Sequence, residues 1–128
     1  MISQETGRTG IILYVHHYQA CLRFYKDLLE LPILFDTPNL TCFEFGHAYL
    51  MVERQDANDP PLGFPNPTFC LRFNVPDVKR VRDRLVARGV AVDYQEHTWG
   101  IIAKFRDPEG NLIGIKDEEK FEQQIREH

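Results

Sequence analysis

The chain has 128 residues, 43% hydrophobic and 27% charged, a balance that fits one globular domain, or two fused half-domains, burying about two thirds of the unfolded surface. Its net charge of -4, with Lys and Arg scattered among acids, leaves no basic stripe for a phosphate backbone and excludes nucleic acid as the expected partner. Met1 to Gly10 has neither an apolar signal core nor a cationic flank and no apolar run approaches a bilayer span, so the expectation is a cytoplasmic protein with no membrane partner.

Residues 11 to 15 form a continuous apolar run, and Tyr18, Cys21, Leu22, Tyr25, Leu28 and Leu29 follow at spacings of three and four, so a strand feeds an amphipathic helix that Pro32 stops. Ile33 to Asp36 and Leu40 to Phe45 read as short strands around the turn Thr37-Pro38-Asn39, and Gly46 turns the chain into a third, His47 to Glu53. The proline-rich stretch from Gln55 to Pro67 resists helix and ladder alike and reads as a linker, with Phe64 as its lid or its anchor. A strand over 69 to 75, an Asp77 cap, a helix through Arg88 with Gly89 as its stop, and strands near 91 to 95, 100 to 105 and 111 to 116 follow. The tail from Asp117 to His128 carries only Phe121 and Ile125 on one helical face, which predicts a weakly docked helix.

The order of elements is the same in both halves. Gly10 to Val15 lies on Thr68 to Phe73 at a shift of 58, Tyr18, Cys21 and Tyr25 on Val78, Val81 and Leu85 at 60, and Leu50 to Glu53 on Asn111 to Gly114 at 61. The reading is α+β: two βαβββ modules, 8 to 54 and 68 to 116, joined by the linker 55 to 67 and followed by the tail 117 to 128. Cys21, Cys42 and Cys70 sit on apolar faces without metal spacing and are expected to be reduced core thiols.

Three segments carry a family resemblance: Asp107-Pro108-Glu109-Gly110-Asn111-Leu112-Ile113, Leu22 to Leu29 in the first helix, and Thr98-Trp99-Gly100. With the paired βαβββ modules they resemble the vicinal oxygen chelate superfamily, the glyoxalase, bleomycin-resistance and extradiol-dioxygenase group. The resemblance implies a cup-shaped mixed sheet, with one metal ligand on the first and one on the last strand of each module. Carried onto this chain those places are Gly10, Glu53, Thr68 and Gly114, of which only Glu53 is a strong ligand. One carboxylate cannot outcompete water for a divalent ion, so no metal and no cofactor are expected.

If the strand keeps period two, Tyr49, Met51 and Glu53 share the cup interior with His47, and Glu53 is a pocket anion or a charge at a strand end. Thr68, Cys70 and Arg72 alternate onto one face of the second module's first strand, Arg72 standing where the first has Tyr14. An inward Arg needs a carboxylate or a ligand anion, while its bland role is a salt bridge. Trp99 belongs at the cup's rim, and His16, His17, His97 and His128 fall in loops or at the end of the chain. Gly10 and Gly114 suggest close approach by a bulky ligand. The candidate ligand-binding set is Tyr14, Tyr49, Met51, Glu53, Thr68, Cys70, Arg72 and Trp99, with no catalytic residue assigned. The function this supports is metal-independent binding of an aromatic or amphipathic small molecule, as in the bleomycin-resistance branch, by a homodimer. The alternative is a metal-dependent lyase, isomerase or dioxygenase of the same superfamily, and a third reading is an interaction module with a vestigial cup.

Overall fold

A computed structural model of the chain describes residues 2–55 and 66–128; Phe64 and most of the linker lie outside the described residues. The first module comprises β1 (Thr9–Val15), α2 (Tyr18–Leu22), β2 (Ile33–Asp36), β3 (Leu40–Phe45) and β4 (Ala48–Arg54), preceded by a short helix α1 (Ile2–Glu5) that the sequence did not announce. The second comprises β5 (Phe69–Val75), α3 (Val78–Ala87), β6 (Asp93–His97), β7 (Gly100–Arg106) and β8 (Leu112–Asp117), and α4 (Glu118–Arg126) follows. The described strands form one open sheet in the order β2-β3-β4-β1-β5-β8-β7-β6. Within each module the first and last strands run parallel, and the modules meet where β1 pairs antiparallel with β5, Ile11 opposite Leu71. That seam lies within one chain.

Period-two alternation sorts the strand residues onto two faces. Ile11, Leu13 and Val15 of β1 pack with Leu50, Val52 and Phe43 beneath α2, and Val75, Ala103, Phe105 and Ile115 lie beneath α3 with its Val78, Val81 and Leu85. Asp77 caps α3 by accepting from the Arg80 backbone N–H at 3.0 Å, and Gly89, at φ +86°, ends it, as the sequence predicts. The opposite, inner face carries Ile12, Cys42, Tyr49, Met51, Cys70 and Leu112.

Two expectations need correction here. The first helix is α-helical only to Leu22 and continues over Arg23–Leu28 as a π-helix, with Leu29 N–H donating to Phe24 C=O at 3.0 Å. Tyr18, Cys21, Leu22 and Tyr25 stay on the sheet, but the wider turn carries Leu28 and Leu29 off it and leaves them exposed instead of packed. The tail is not weakly docked either. α4 crosses the inner face, and Phe121 is fully buried with its ring 4.3 Å from that of Tyr49 and 5.5 Å from that of Phe35. Polar ties flank it: Arg8 Nε donates to Glu122 at 2.6 Å and the Arg8 backbone N–H to Glu118 at 2.8 Å. One large aromatic entering a concavity outweighs the few apolar residues of the helix.

Phe121→Ala should therefore lower unfolding free energy by about 3–5 kcal/mol, the usual cost of emptying a buried Phe site. Urea denaturation checks this; a loss below about 1 kcal/mol, typical of a surface position, would mean that α4 is not part of the core.

Candidate functional site

The inner face is where the two modules converge, and the strand pairing fixes which residues correspond across them. Gly10 pairs with Tyr49 and Ile12 with Met51, while Cys70 pairs with Leu112 and Arg72 with Gly114. β1 and β5 begin at Thr9 and Phe69 and run seven residues each, so the first strands correspond at a shift of 60, not 58. Cys70 then takes the place of Gly10, and Gly114 that of Met51. The four places taken as Gly10, Glu53, Thr68 and Gly114 are corrected by two residues at two of them, to Gly10, Met51, Cys70 and Gly114. Thr68 is exposed, before β5, and its C=O accepts from Tyr14 N–H at 3.0 Å. Glu53 lies opposite Tyr14 toward the end of β4, and Arg72 corresponds to Ile12; Asn74, not Arg72, stands in the place of Tyr14.

The family's metal does not fit this set. Two glycines, a thioether and a thiol offer neither carboxylate nor imidazole, and the Cys70 thiol is pushed up by burial, disfavouring the thiolate that would bind an ion. A Cβ on Gly10 would overlap the Tyr49 ring, so that ring occupies the position from which a first-strand ligand would project. Among the described residues no group of three or more His, Cys, Asp or Glu side chains could hold a metal ion.

Gly10 is explained by the protein's own Tyr49 ring rather than by a bulky ligand. Tyr49 reaches from β4 across Gly10 of β1 and donates its phenol proton to Asn74 Oδ1 of β5 at 2.6 Å, tying both modules together. A Cβ on Gly114 would lie 3.2 Å from Cys70 Sγ and 3.8 Å from Arg72 Cγ. Tyr14, Tyr49, Met51 and Cys70 are thus brought together on the inner face, Met51 and Cys70 buried and Tyr14 packed against them, and burial holds both phenols well above the ordinary tyrosine range.

The polar part of the site lies on the second module. Arg72 is 8% exposed and its charge is felt by Tyr49, Cys70, Tyr14 and Glu53. Lys116, 2% exposed, has Asn74 as its pairing neighbour on β5 and sends its ammonium into the notch at Gly100, where Nζ donates to the Trp99 C=O at 3.3 Å and lies over the Trp99 ring. Burial, reinforced by the Arg72 charge, brings the Lys116 pKa down to about 8. Trp99 is 47% exposed in the β6–β7 turn, and its ring is already engaged by Lys116 and stacked on His97 at 4.4 Å. Lys116 and Asn74 escaped the sequence reading, although period two from Gly114 and Arg72 places both on the inner face.

The model of the Glyoxalase/Bleomycin resistance protein/Dioxygenase superfamily matches residues 8–115. The chain belongs to that superfamily. The chain is also similar to the uncharacterized protein YraH of Bacillus subtilis (strain 168), 34% identical over 120 residues, covering 82% of this chain and 93% of YraH. Among solved structures it resembles a protein described as an NAD-dependent benzaldehyde dehydrogenase from Legionella pneumophila, with TM-score 0.71, 17% identity and coverage of 85% and 97% of the two chains. The methylmalonyl-CoA epimerase of Mycobacterium tuberculosis is similar at TM-score 0.64 and 16% identity, covering 88% and 87%. At such identities the likeness is one of fold. Within the superfamily's sheet, the Asp107 to Asn111 segment acts as a turn: Asp107 Oδ1 accepts from Glu109 N–H and Asn111 N–H, each at 2.9 Å, and Gly110 takes φ +86°.

Two predictions test this packing. Gly10→Ala should destabilise through collision with the Tyr49 ring, and in a double-mutant cycle Tyr49→Ala should relieve it, with a coupling of about 1–3 kcal/mol by denaturation; strict additivity would mean that the ring does not rest on Gly10. Lys116, depressed from its ordinary 10.5 to about 8 in the folded chain, binds fewer protons folded than unfolded between those values. Wild type should therefore gain stability relative to Lys116→Met as pH rises through that window, by about 1.4 kcal/mol per unit at most, and lose it as pH falls through 8. Parallel stability curves for the two proteins would place Lys116 in water.

Proposed function

We propose that the chain is a metal-independent small-molecule-binding member of its superfamily, holding an aromatic or amphipathic ligand on the inner face beside Tyr14, Arg72 and Trp99. One observation carries this reading: Tyr49 stands where a first-strand metal ligand would project, and the other converging positions are Met51, Cys70 and Gly114. The apolar side chains around it supply area, and the buried cations supply the few placed polar groups that such sites use for orientation. A second reading, an interaction module with its inner face filled by its own helix, is favoured by the complete burial of Phe121 against Tyr49 and Phe35.

Titration of EDTA-treated protein with 1-naphthol, followed by the emission of Trp99, the single tryptophan, separates the readings. Saturable binding unaffected by EDTA and strengthened by Phe121→Ala is expected. One tightly held metal per chain, or metal-restored glyoxalase or dioxygenase turnover, would overturn the proposal in favour of the enzyme. Absence of binding in both wild type and Phe121→Ala would favour the interaction module.

A further inference from the structure

Three buried hydrogen-bond donors adjoin one another on the second module's inner face with too few acceptors between them. Arg72 and Asn74 are two apart on β5, hence on the same face, and Lys116 of β8 pairs with Asn74. Among the described residues, Arg72 Nε and Asn74 Nδ2 have no hydrogen-bond partner, in residues 8% and 0% exposed. The Lys116 ammonium, with three protons to donate, has the Trp99 C=O as its hydrogen-bonded acceptor. Buried donors without acceptors are costly and in native proteins point to a water, an ion or a ligand.

The charges sharpen this. Lys104 pairs with Gly114 from the β7 side as Arg72 does from the β5 side, so two cations flank a position without a side chain, and Lys116 follows two residues along β8 on the same face. Of the groups acting on Arg72, Tyr14, Tyr49 and Cys70 are kept protonated by burial, and Glu53 is the carboxylate among them. The neighbouring Asp117 accepts from Glu119 N–H and Lys120 N–H as the cap of α4. Around Arg72, positive charge is therefore in excess over carboxylate, and Arg72 Nε comes within 4.0 Å of where a Cβ on Gly114 would stand.

We propose that Arg72, Asn74 and Lys116, with Lys104 at the margin, form an oxyanion site at Gly114 that receives the carboxylate of a small organic acid. This rests on the reading of the inner face as a small-molecule site and names the class of its ligand. The acid's carboxylate accepts from Arg72 Nε, Asn74 Nδ2 and Lys116 Nζ, and its remainder extends past Trp99, the exposed side of the cluster. No bond is made or broken. Such charge-assisted hydrogen bonds are stronger than neutral ones and favour an acid over its amide or alcohol.

The test follows the Arg72 Nε–Hε resonance while acetate, benzoate, benzyl alcohol and inorganic phosphate are titrated separately into the full chain. Acetate and benzoate should shift that resonance saturably, benzoate the more tightly, and Arg72→Met or Lys116→Met should weaken benzoate by about tenfold or more, as for loss of a hydrogen bond to a charged group. Gly114→Asp, which supplies a carboxylate from within, should move the resonance toward its ligand-bound position and abolish the acetate response, and this holds even if either methionine variant misfolds. Benzyl alcohol binding as tightly as benzoate, with acetate silent, would remove the oxyanion site and leave the small-molecule reading standing. An acetate response without benzoate or benzyl alcohol binding would keep the site and remove the larger aromatic ligand. Phosphate binding with both carboxylates silent would overturn the assignment to an organic acid.

Discussion

The contact on which the inner face depends is the Tyr49 side chain. It starts on β4, crosses Gly10 of β1 and ends in a hydrogen bond to Asn74 of β5, so one residue spans both modules at the seam. Its ring gives Phe121 a surface to pack on, and through Phe121 the helix α4 is held across the sheet. The same ring occupies the position from which a side chain at Gly10 would project. Bridging the modules and filling the place beside Gly10 are here the work of one phenol. A buried Tyr is costly unless its hydroxyl finds an acceptor, and Asn74 supplies it.

That acceptance has a further effect on Asn74. With Oδ1 taken by Tyr49, the amide nitrogen is left facing the same region as Arg72 and Lys116. The first module's half of the inner face is thus apolar and filled, and the second module's half is cationic and short of acceptors. The two copies of one βαβββ pattern thus differ in what their inner faces carry. The asymmetry resides in a few positions: Gly10 against Cys70, Met51 against Gly114, Tyr14 against Asn74.

The architecture was legible because its signals are local. Strands β2, β3 and β5 begin and end where the apolar runs and turn residues place them, and Asp77 and Gly89 bound α3 as expected. The site was less legible, for a definite reason. A shift of two along a strand preserves which residues face inward, so the hydrophobic pattern alone could not distinguish Thr68 from Cys70 or Glu53 from Met51. Only the pairing of β1 with β5, and of each with its parallel partner, resolves it. The docking of α4 is not legible in its count of apolar residues, because the depth reached by Phe121 decides it. The π-helical widening after Leu22 has no composition signal, and it put Leu28 and Leu29 on the wrong side.

The seam between β1 and β5 also bears on how the chain acquires its structure. β1 is an inner strand of the finished sheet, yet its seam partner lies some sixty residues downstream, whereas β2, β3 and β4 pair as successive neighbours. During synthesis the first module can assemble β2, β3, β4 and β1 before β5 has emerged, leaving β1 as a bare edge with unpaired N–H and C=O groups along Gly10 to Leu13. A second nascent copy presents the same edge. The waiting time for β5 is thus an interval in which neighbouring chains can pair with each other, and slow translation through the proline-rich linker would lengthen it.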